Sequence, residues 1–315
     1  MALTWIPWNV AVEAGAVVGT AGVAARTSSR RWVTRAGKFF RELAIVLVLY
    51  ALWRVVGTIS IVKVNGAIHA GQGIWDVERW MHLPNERSLQ QLFLKSRPLI
   101  QACNVYYASV HIPSMLIFLP WLWFFHRAHY PPIRNVIALA TLWCLAIQLI
   151  PVAPPRLVPA LHVVDTPALF GQTVYPSFGK SGPAQLSAMP SVHVAWALII
   201  GVAIVIVSSS RWRWIFLAHP VVTSVVVVVT GNHYWLDGGV AAVIVLLAVV
   251  FERWARGVIT RWLASRSHKG SDAILVSAHE SNASAACSAS TPTLVRGSRD
   301  RPSLVGTPPD GSDRS

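Results

Sequence analysis

The sequence predicts an all-α polytopic membrane protein, a bundle of six transmembrane helices, and three observations carry that prediction. Of the 315 residues, 54% are hydrophobic, and the mean hydropathy is +0.49. Only 13% are charged, against about a quarter in a soluble domain, so much of the apolar surface must face lipid. The apolar residues also gather into runs near ~20 residues, the length that crosses ~30 Å of hydrocarbon as a helix, and Lys and Arg collect at the ends of those runs.

The runs fall at about 42–64, 105–125, 134–152, 192–209, 213–230 and 238–252. Val221 to Val229 has the composition of a buried strand, but in lipid an open strand leaves backbone groups unpaired, so this run too is read as helix. Residues 10–25 are Ala/Gly-rich, contain Glu13 and lack a basic segment before them. They are read as a loose N-terminal segment lying on the membrane rather than a cleaved signal peptide. The organisation that follows is a basic cytoplasmic segment at 1–41, a membrane domain at 42–255 and a tail at 267–315. The tail is rich in Ser, Thr, Pro, Ala and Gly with no apolar period, and is expected to be disordered.

Orientation comes from the cations. Arg26, Arg30, Arg31, Arg35, Lys38 and Arg41 precede the first run; Arg127 and Arg134 follow the second. Arg211 and Arg213 separate the fourth and fifth, and Arg253, Arg256, Arg261, Arg266 and Lys269 follow the sixth. With six spans these flanks share one side, which should be cytoplasmic, with both termini, in a cell membrane. Arg79, Arg87, Lys95 and Arg97 lie on the opposite side, offset by Asp76, Glu78 and Glu86. The net charge of +14 is thus matched to anionic lipid headgroups, not to nucleic acid. The 15 Trp suit a membrane interface. Cys103, Cys144 and Cys287 form neither a CxxC pair nor a disulfide framework. No HExxH or paired-carboxylate motif suggests a metal, and no cofactor is expected.

The same topology places three motifs on the outer face: Pro154-Pro155-Arg156, Pro190-Ser191-Val192-His193 and Asn232-His233-Tyr234-Trp235-Leu236-Asp237. His233 and Asp237 are four residues apart, so a helical turn puts them on one face. A carboxylate beside an imidazole fixes its tautomer and raises the basicity of the far nitrogen, which makes His233 a candidate nucleophile toward phosphorus. The competing structural role is a buried pair that ties helix ends. Ser191 suits a helix N-cap, and a helix starting there would present free N–H groups to phosphate. His193, one turn in, is a candidate acid for a leaving oxygen, or simply an interfacial His. Arg156, behind two prolines, offers a planar fork for phosphate oxygens, or snorkels to the interface. His111 can line the same cavity, although an interhelical hydrogen bond is its more ordinary use. Asn104 and Asn232 are similar polar candidates. Lys180 and Arg97 are weaker phosphate candidates. Glu86 could meet a polar headgroup but reads more simply as a surface carboxylate. His126 and His129 fall on the cytoplasmic side.

Together these residues resemble the PAP2 (type 2 phosphatidic acid phosphatase) superfamily, and within it the branch of the inositol phosphorylceramide synthases and their bacterial relatives. The resemblance is carried by Pro154 to Leu157, Ala188 to His193 and Thr230 to Asp237. Asp165-Thr166, Glu86 with Leu89-Gln90, and the stretch from Asn104 to His111 support it. It runs from about residue 75 to 250. It implies a six-helix PAP2-like bundle acting on a phosphorylated lipid through a phosphohistidine. His233 would be the nucleophile, Asp237 its orienting carboxylate and His193 the general acid/base. Arg156 and Ser191 would hold phosphate, and His111 and Asn232 are added here as substrate-side candidates. The pattern also departs from the superfamily's. The first motif's Lys, six residues before an Arg-Pro, has no counterpart at Arg156, and Lys95-Ser96-Arg97-Pro98 has another interval. Val192 stands for the usual Gly and Val227 for the usual Arg. The reading is therefore a lipid phosphatase or phosphotransferase. A synthase-like transfer of a phospho-headgroup to an alcohol, or a non-catalytic lipid-binding or transport protein, are its alternatives.

Overall fold

The computed structural model describes residues 7–59, 64–172 and 186–289. Among them every regular element is helical. The chain divides into two units, Met1–Arg256 and Gly257–Ser315. Four segments are long and apolar enough to cross a membrane: Trp8–Thr27, Tyr130–Ile147, Arg211–Val229 and Trp235–Ser265. A bent pair, Arg97–Ser109 with His111–Phe125, makes a fifth if counted as one span.

The first helices are α1 (Trp8–Ala24) and α2 (Arg31–Ile59). The loose surface segment expected at 10–25 is therefore corrected to a helix packed along α2. Small residues make this possible. Ala11 and Gly15 are buried on one face with Gly22, and a Cβ on Gly37 would come 2.6 Å from that of Ala25. Helices approach closely in lipid where such residues line the seam. α2 carries the run expected at 42–64 as far as Ile59; residues 60–63 lie outside the described residues.

Next come α3 (Val64–Trp80) and α4 (Glu86–Leu94), joined by a tight corner, then α5 (Arg97–Ser109) and α6 (His111–Phe125). The run expected at 105–125 is thus split, with a 50° bend at Val110. Pro113 explains the break, because it has no N–H for the carbonyl of Ser109. α7 (Tyr130–Ile147) starts on Pro131 and Pro132, which suit a first turn. The chain then leads through two 3₁₀ turns, Pro155–Leu157 and Pro159–Leu161, and the short helix α8 (Thr166–Leu169) to α9 (Val192–Val207). A 3₁₀ segment, Arg211–Leu217, feeds α10 (Ala218–Val229), and α11 runs from Trp235 to Ala289. α11 continues into the stretch that composition assigned to a disordered tail; its Ala283, Ala285, Ala286 and Ala289 favour local helix. Residues 290–315 lie outside the described residues.

α6, α7, α9, α10 and α11 share one apolar core. Phe118 and Leu122 meet Ile137, Cys144, Ile199, Ile200, Val227, Val228 and Ile244 there. The same helices leave Ile117, Phe124, Ile206, Val221, Leu246 and Val250 exposed. A helix apolar on all sides is a membrane helix rather than an amphipathic surface one. Two loops close over one end of this core. Val152 N–H donates to Leu186 O at 2.7 Å, and Ala188 N–H to Val152 O at 3.1 Å. α3 lies against them without clearance: a Cβ on Gly71 would be 2.7 Å from both Ala153 O and the Tyr234 hydroxyl.

Candidate active site

The turn after α10 aims the site. Gly231 takes φ +71°. Its N–H donates to Val228 O at 2.9 Å, and that of Asn232 donates to Val227 O at 3.1 Å. These are the two bonds of a Schellman cap, which needs a left-handed residue at Gly231. The glycine also leaves room for a neighbour: its Cβ would lie 3.1 Å from Arg156 Cβ. Arg156 N–H donates to Gly231 O at 3.1 Å. The cap therefore turns His233 back over the core and docks the Pro154–Arg156 loop in one stroke.

His233 is buried. Its Nδ1 faces Ala188 O at 2.6 Å and Asp237 Oδ2 at 3.1 Å. Both partners are acceptors, so the ring proton sits on Nδ1 and Nε2 keeps its lone pair. Burial holds the imidazole below the ordinary histidine range, at about 4; the Ala188 carbonyl opposes this and the nearby Arg156 charge adds to it. The ring is therefore neutral at pH 7. Asp237 Oδ2 also accepts the Tyr234 N–H at 2.9 Å, which satisfies a free donor at the start of α11.

Ser191 caps α9, its Oγ accepting the Val194 N–H at 3.4 Å. Two residues on, within the first turn of α9, the ring of His193 lies 5.7 Å from that of His233 and 4.4 Å from that of His111. His193 Nδ1 is buried with no hydrogen-bond partner among the described residues. The same holds for both nitrogens of His111, so the interhelical hydrogen bond expected there is not made. Arg156 is buried, not snorkelling. Its Nη1 donates to Asn232 Oδ1 at 2.6 Å, and its Nε lies 3.3 Å from Asp165 Oδ2.

All seven candidates, His111, Arg156, Ser191, His193, Asn232, His233 and Asp237, thus lie on connected neighbours at one end of the core. The weaker candidates fare differently. Asn104 bonds Gln172 and Thr166 at 3.0 and 2.8 Å and braces α8. Arg97 lies over the Phe170 ring, and Lys180 lies outside the described residues. Glu86, expected at the surface, is wholly buried. Sequence reasoning gave no site role to Glu78, which is also wholly buried and accepts the Leu236 N–H at 2.6 Å. It missed the Ala188 carbonyl as well, a backbone group that no side-chain pattern announces. Among the described residues no group of three or more His, Cys, Asp or Glu is placed to hold a metal.

Fold and site together define an all-helical membrane-type protein with a buried imidazole–carboxylate pair between loops. The family model of the PAP2 superfamily matches residues 72–251, more than half of the chain, and the chain belongs to that superfamily. Its members are usually phosphatases or phosphotransferases. No curated protein and no solved structure matches the chain.

Proposed function

We propose that the protein is an integral membrane lipid phosphatase or phosphotransferase working through a phosphohistidine on His233. The observation that carries this reading is the pairing of His233 Nδ1 with two acceptors, Ala188 O and Asp237 Oδ2, which leaves Nε2 as a neutral nucleophile in a buried site. Nε2 attacks phosphorus and the ester oxygen leaves with a proton from His193. Arg156, Asn232, Ser191 and the N-terminus of α9 hold the phosphoryl oxygens, and His111 lies on the substrate side. An incoming hydroxyl then gives its proton to His193 and its oxygen to phosphorus, which frees His233. Water as acceptor makes a phosphatase; an alcohol makes a transferase. No metal or cofactor enters this scheme.

The membrane arrangement proposed with it has six spans: α2, the bent α5–α6 pair, α7, α9, the 211–229 segment and the first part of α11; α1, although long and apolar enough to cross, is counted with the N-terminal segment. The basic residues at 26–41 and beyond Arg253 lie on the cytoplasmic side of the cell membrane, and the site opens to the outer leaflet. The N-terminal segment to 41, the membrane domain at 42–255 and the tail from 267 are its three parts. The substrate is a phosphorylated lipid, with the bilayer as the other partner and no role for nucleic acid.

A specific observation favours the second reading, transfer between phosphodiesters as in the synthase branch. Arg156 is already shared with Asp165 and Asn232, and Val227, at the position of the superfamily's usual Arg, is buried in the apolar core. Such a pocket suits a phosphate of lower charge than a dianionic monoester. The test uses purified protein in detergent with chelator, a panel of phospholipids and prenyl phosphates, and inositol present or absent. Loss of free phosphate or of a new phospholipid by at least about 10³-fold in His233→Ala is expected. Turnover unchanged in that variant would overturn the reading in favour of a silent lipid-binding or transport protein.

A further inference from the structure

The α3–α4 corner carries two carboxyls that the scheme above does not use. Glu78 and Glu86 are both wholly buried. Glu78 Oε1 accepts the Leu236 N–H at 2.6 Å. Glu86 Oε2 accepts from Arg79 Nη2 at 3.1 Å. The same guanidinium nitrogen donates to Pro84 O at 3.0 Å, and Trp235 Nε1 reaches that carbonyl at 2.9 Å. The corner therefore grips residues 235 and 236, immediately before Asp237. The remaining oxygens, Glu78 Oε2 and Glu86 Oε1, are buried with no hydrogen-bond partner among the described residues. A buried carboxylate oxygen without a donor is costly, and a proton carried by one carboxyl and offered to the other removes that cost.

We propose that Glu78 and Glu86 are a proton-sharing pair of positioning residues that fixes the first turn of α11, and through Asp237 sets the orientation of His233. For its catalytic meaning this rests on the phosphohistidine reading. The helix start explains the need. Its first N–H groups have no partner within the helix; Asp237 satisfies the one at Tyr234, and Glu78 satisfies the one at Leu236. If Glu78 lost its proton, two charges would face each other in a buried space beside Asp237, and the corner would part. The groups that face Glu78 are Glu86 from α4 and Asp237 and Tyr234 from the start of α11; Arg79 of its own helix pairs with Glu86. Burial first, then the bond to Glu86, push Glu78 up to about 9 from an ordinary 4.5; the Leu236 N–H opposes this. A folded value raised in this way means a stabilisation present at low pH and lost as pH climbs from about 4.5 through about 9.

The test compares full-length wild type, Glu78→Gln and Glu78→Ala in detergent between pH 5 and pH 10. Three readouts are taken: melting temperature, the ¹⁵N-histidine spectrum, and turnover of dioleoyl phosphatidic acid as probe. The amide of Gln can accept from Leu236 and donate to Glu86 without a titrating proton. Wild type is expected to lose melting temperature progressively as pH rises to about 9, and to lose the ordered His233 Nδ1–H signal above it. Glu78→Gln should show neither loss, and Glu78→Ala should lack the signal at every pH. The same pH-dependent losses in Glu78→Gln as in wild type would overturn the proposal, as would a normal His233 signal in Glu78→Ala. If Glu78→Ala does not fold, the wild-type and Glu78→Gln comparison decides alone. Should the melting and spectral results come out as expected while no protein turns over the probe, the positioning pair stands, and the phosphohistidine reading loses support.

Discussion

Two buried carboxyl clusters in this chain are built on opposite charge balances. Near the α2–α7 contact, one carboxylate, Glu42, meets two guanidiniums. Arg41 lies 3.3 Å from Oε1, Arg134 pairs with Oε2, and the Tyr130 hydroxyl donates to Oε2 at 3.3 Å. Both oxygens are satisfied. At the site lie three wholly buried carboxyls, Glu78, Glu86 and Asp237; Arg79 pairs with Glu86 at 3.1 Å, and each carboxyl keeps an oxygen with no donor among the described residues. A charge taken out of water is tolerated when paired and hydrogen-bonded, and is costly otherwise. The first cluster is what a helix seam needs to hold. The second is the kind of costly arrangement that gathers at functional sites.

The comparison can be broken in three places. The largest effect is expected at Asp237→Asn. The amide can still accept from Tyr234 N–H but no longer fixes the His233 proton on Nδ1 as a carboxylate does. Turnover should fall by about 10³–10⁴-fold while the melting temperature stays close to wild type. An equal loss of stability would make Asp237 a structural group like Glu42. Next is Glu42→Ala, which strands the Arg134 charge at the seam. Stability should drop by about 3 kcal/mol or more, read by denaturation, with turnover per folded molecule unchanged; a fall in that turnover would erase the division of labour. The smallest is Arg79→Gln. Removing the guanidinium paired with Glu86 favours the protonated form of the acid pair, so the pH at which its stabilisation is fully lost should move up from about 9 by roughly one unit or less. A downward move would mean that Arg79 does not face the pair.

Much of the site was legible because its parts are local. His233 and Asp237 meet by helical spacing, and Ser191 caps by its place before an apolar run. That Arg156 joins them follows from topology, since alternating spans bring the 154–157, 188–193 and 230–237 loops to one end. What stayed hidden is tertiary. Glu78 reads as one acid among a loop's mixed charges, and only its contact with Leu236 N–H, 158 residues on, shows its use. Glu86 looks like surface because its burial depends on α3 folding back over it. The helix at 8–24 was passed over because Ala and Gly lower its hydropathy, yet the same small residues let it lie along α2. The break at Val110 was signalled by Pro113, but a single proline inside an apolar run also fits a merely kinked span.

Gly71 gives this arrangement a mechanical reading. It lies seven residues before Glu78 on α3, two helical turns away on the same face, pressed on Ala153 O and the Tyr234 hydroxyl. The helix behaves as a lever whose fulcrum has the thickness of a hydrogen atom. A larger residue there finds no room and is expected to shift the far arm, where the carboxyl meets Leu236. The placing of residues 233–237 thus depends on a position that carries no functional group.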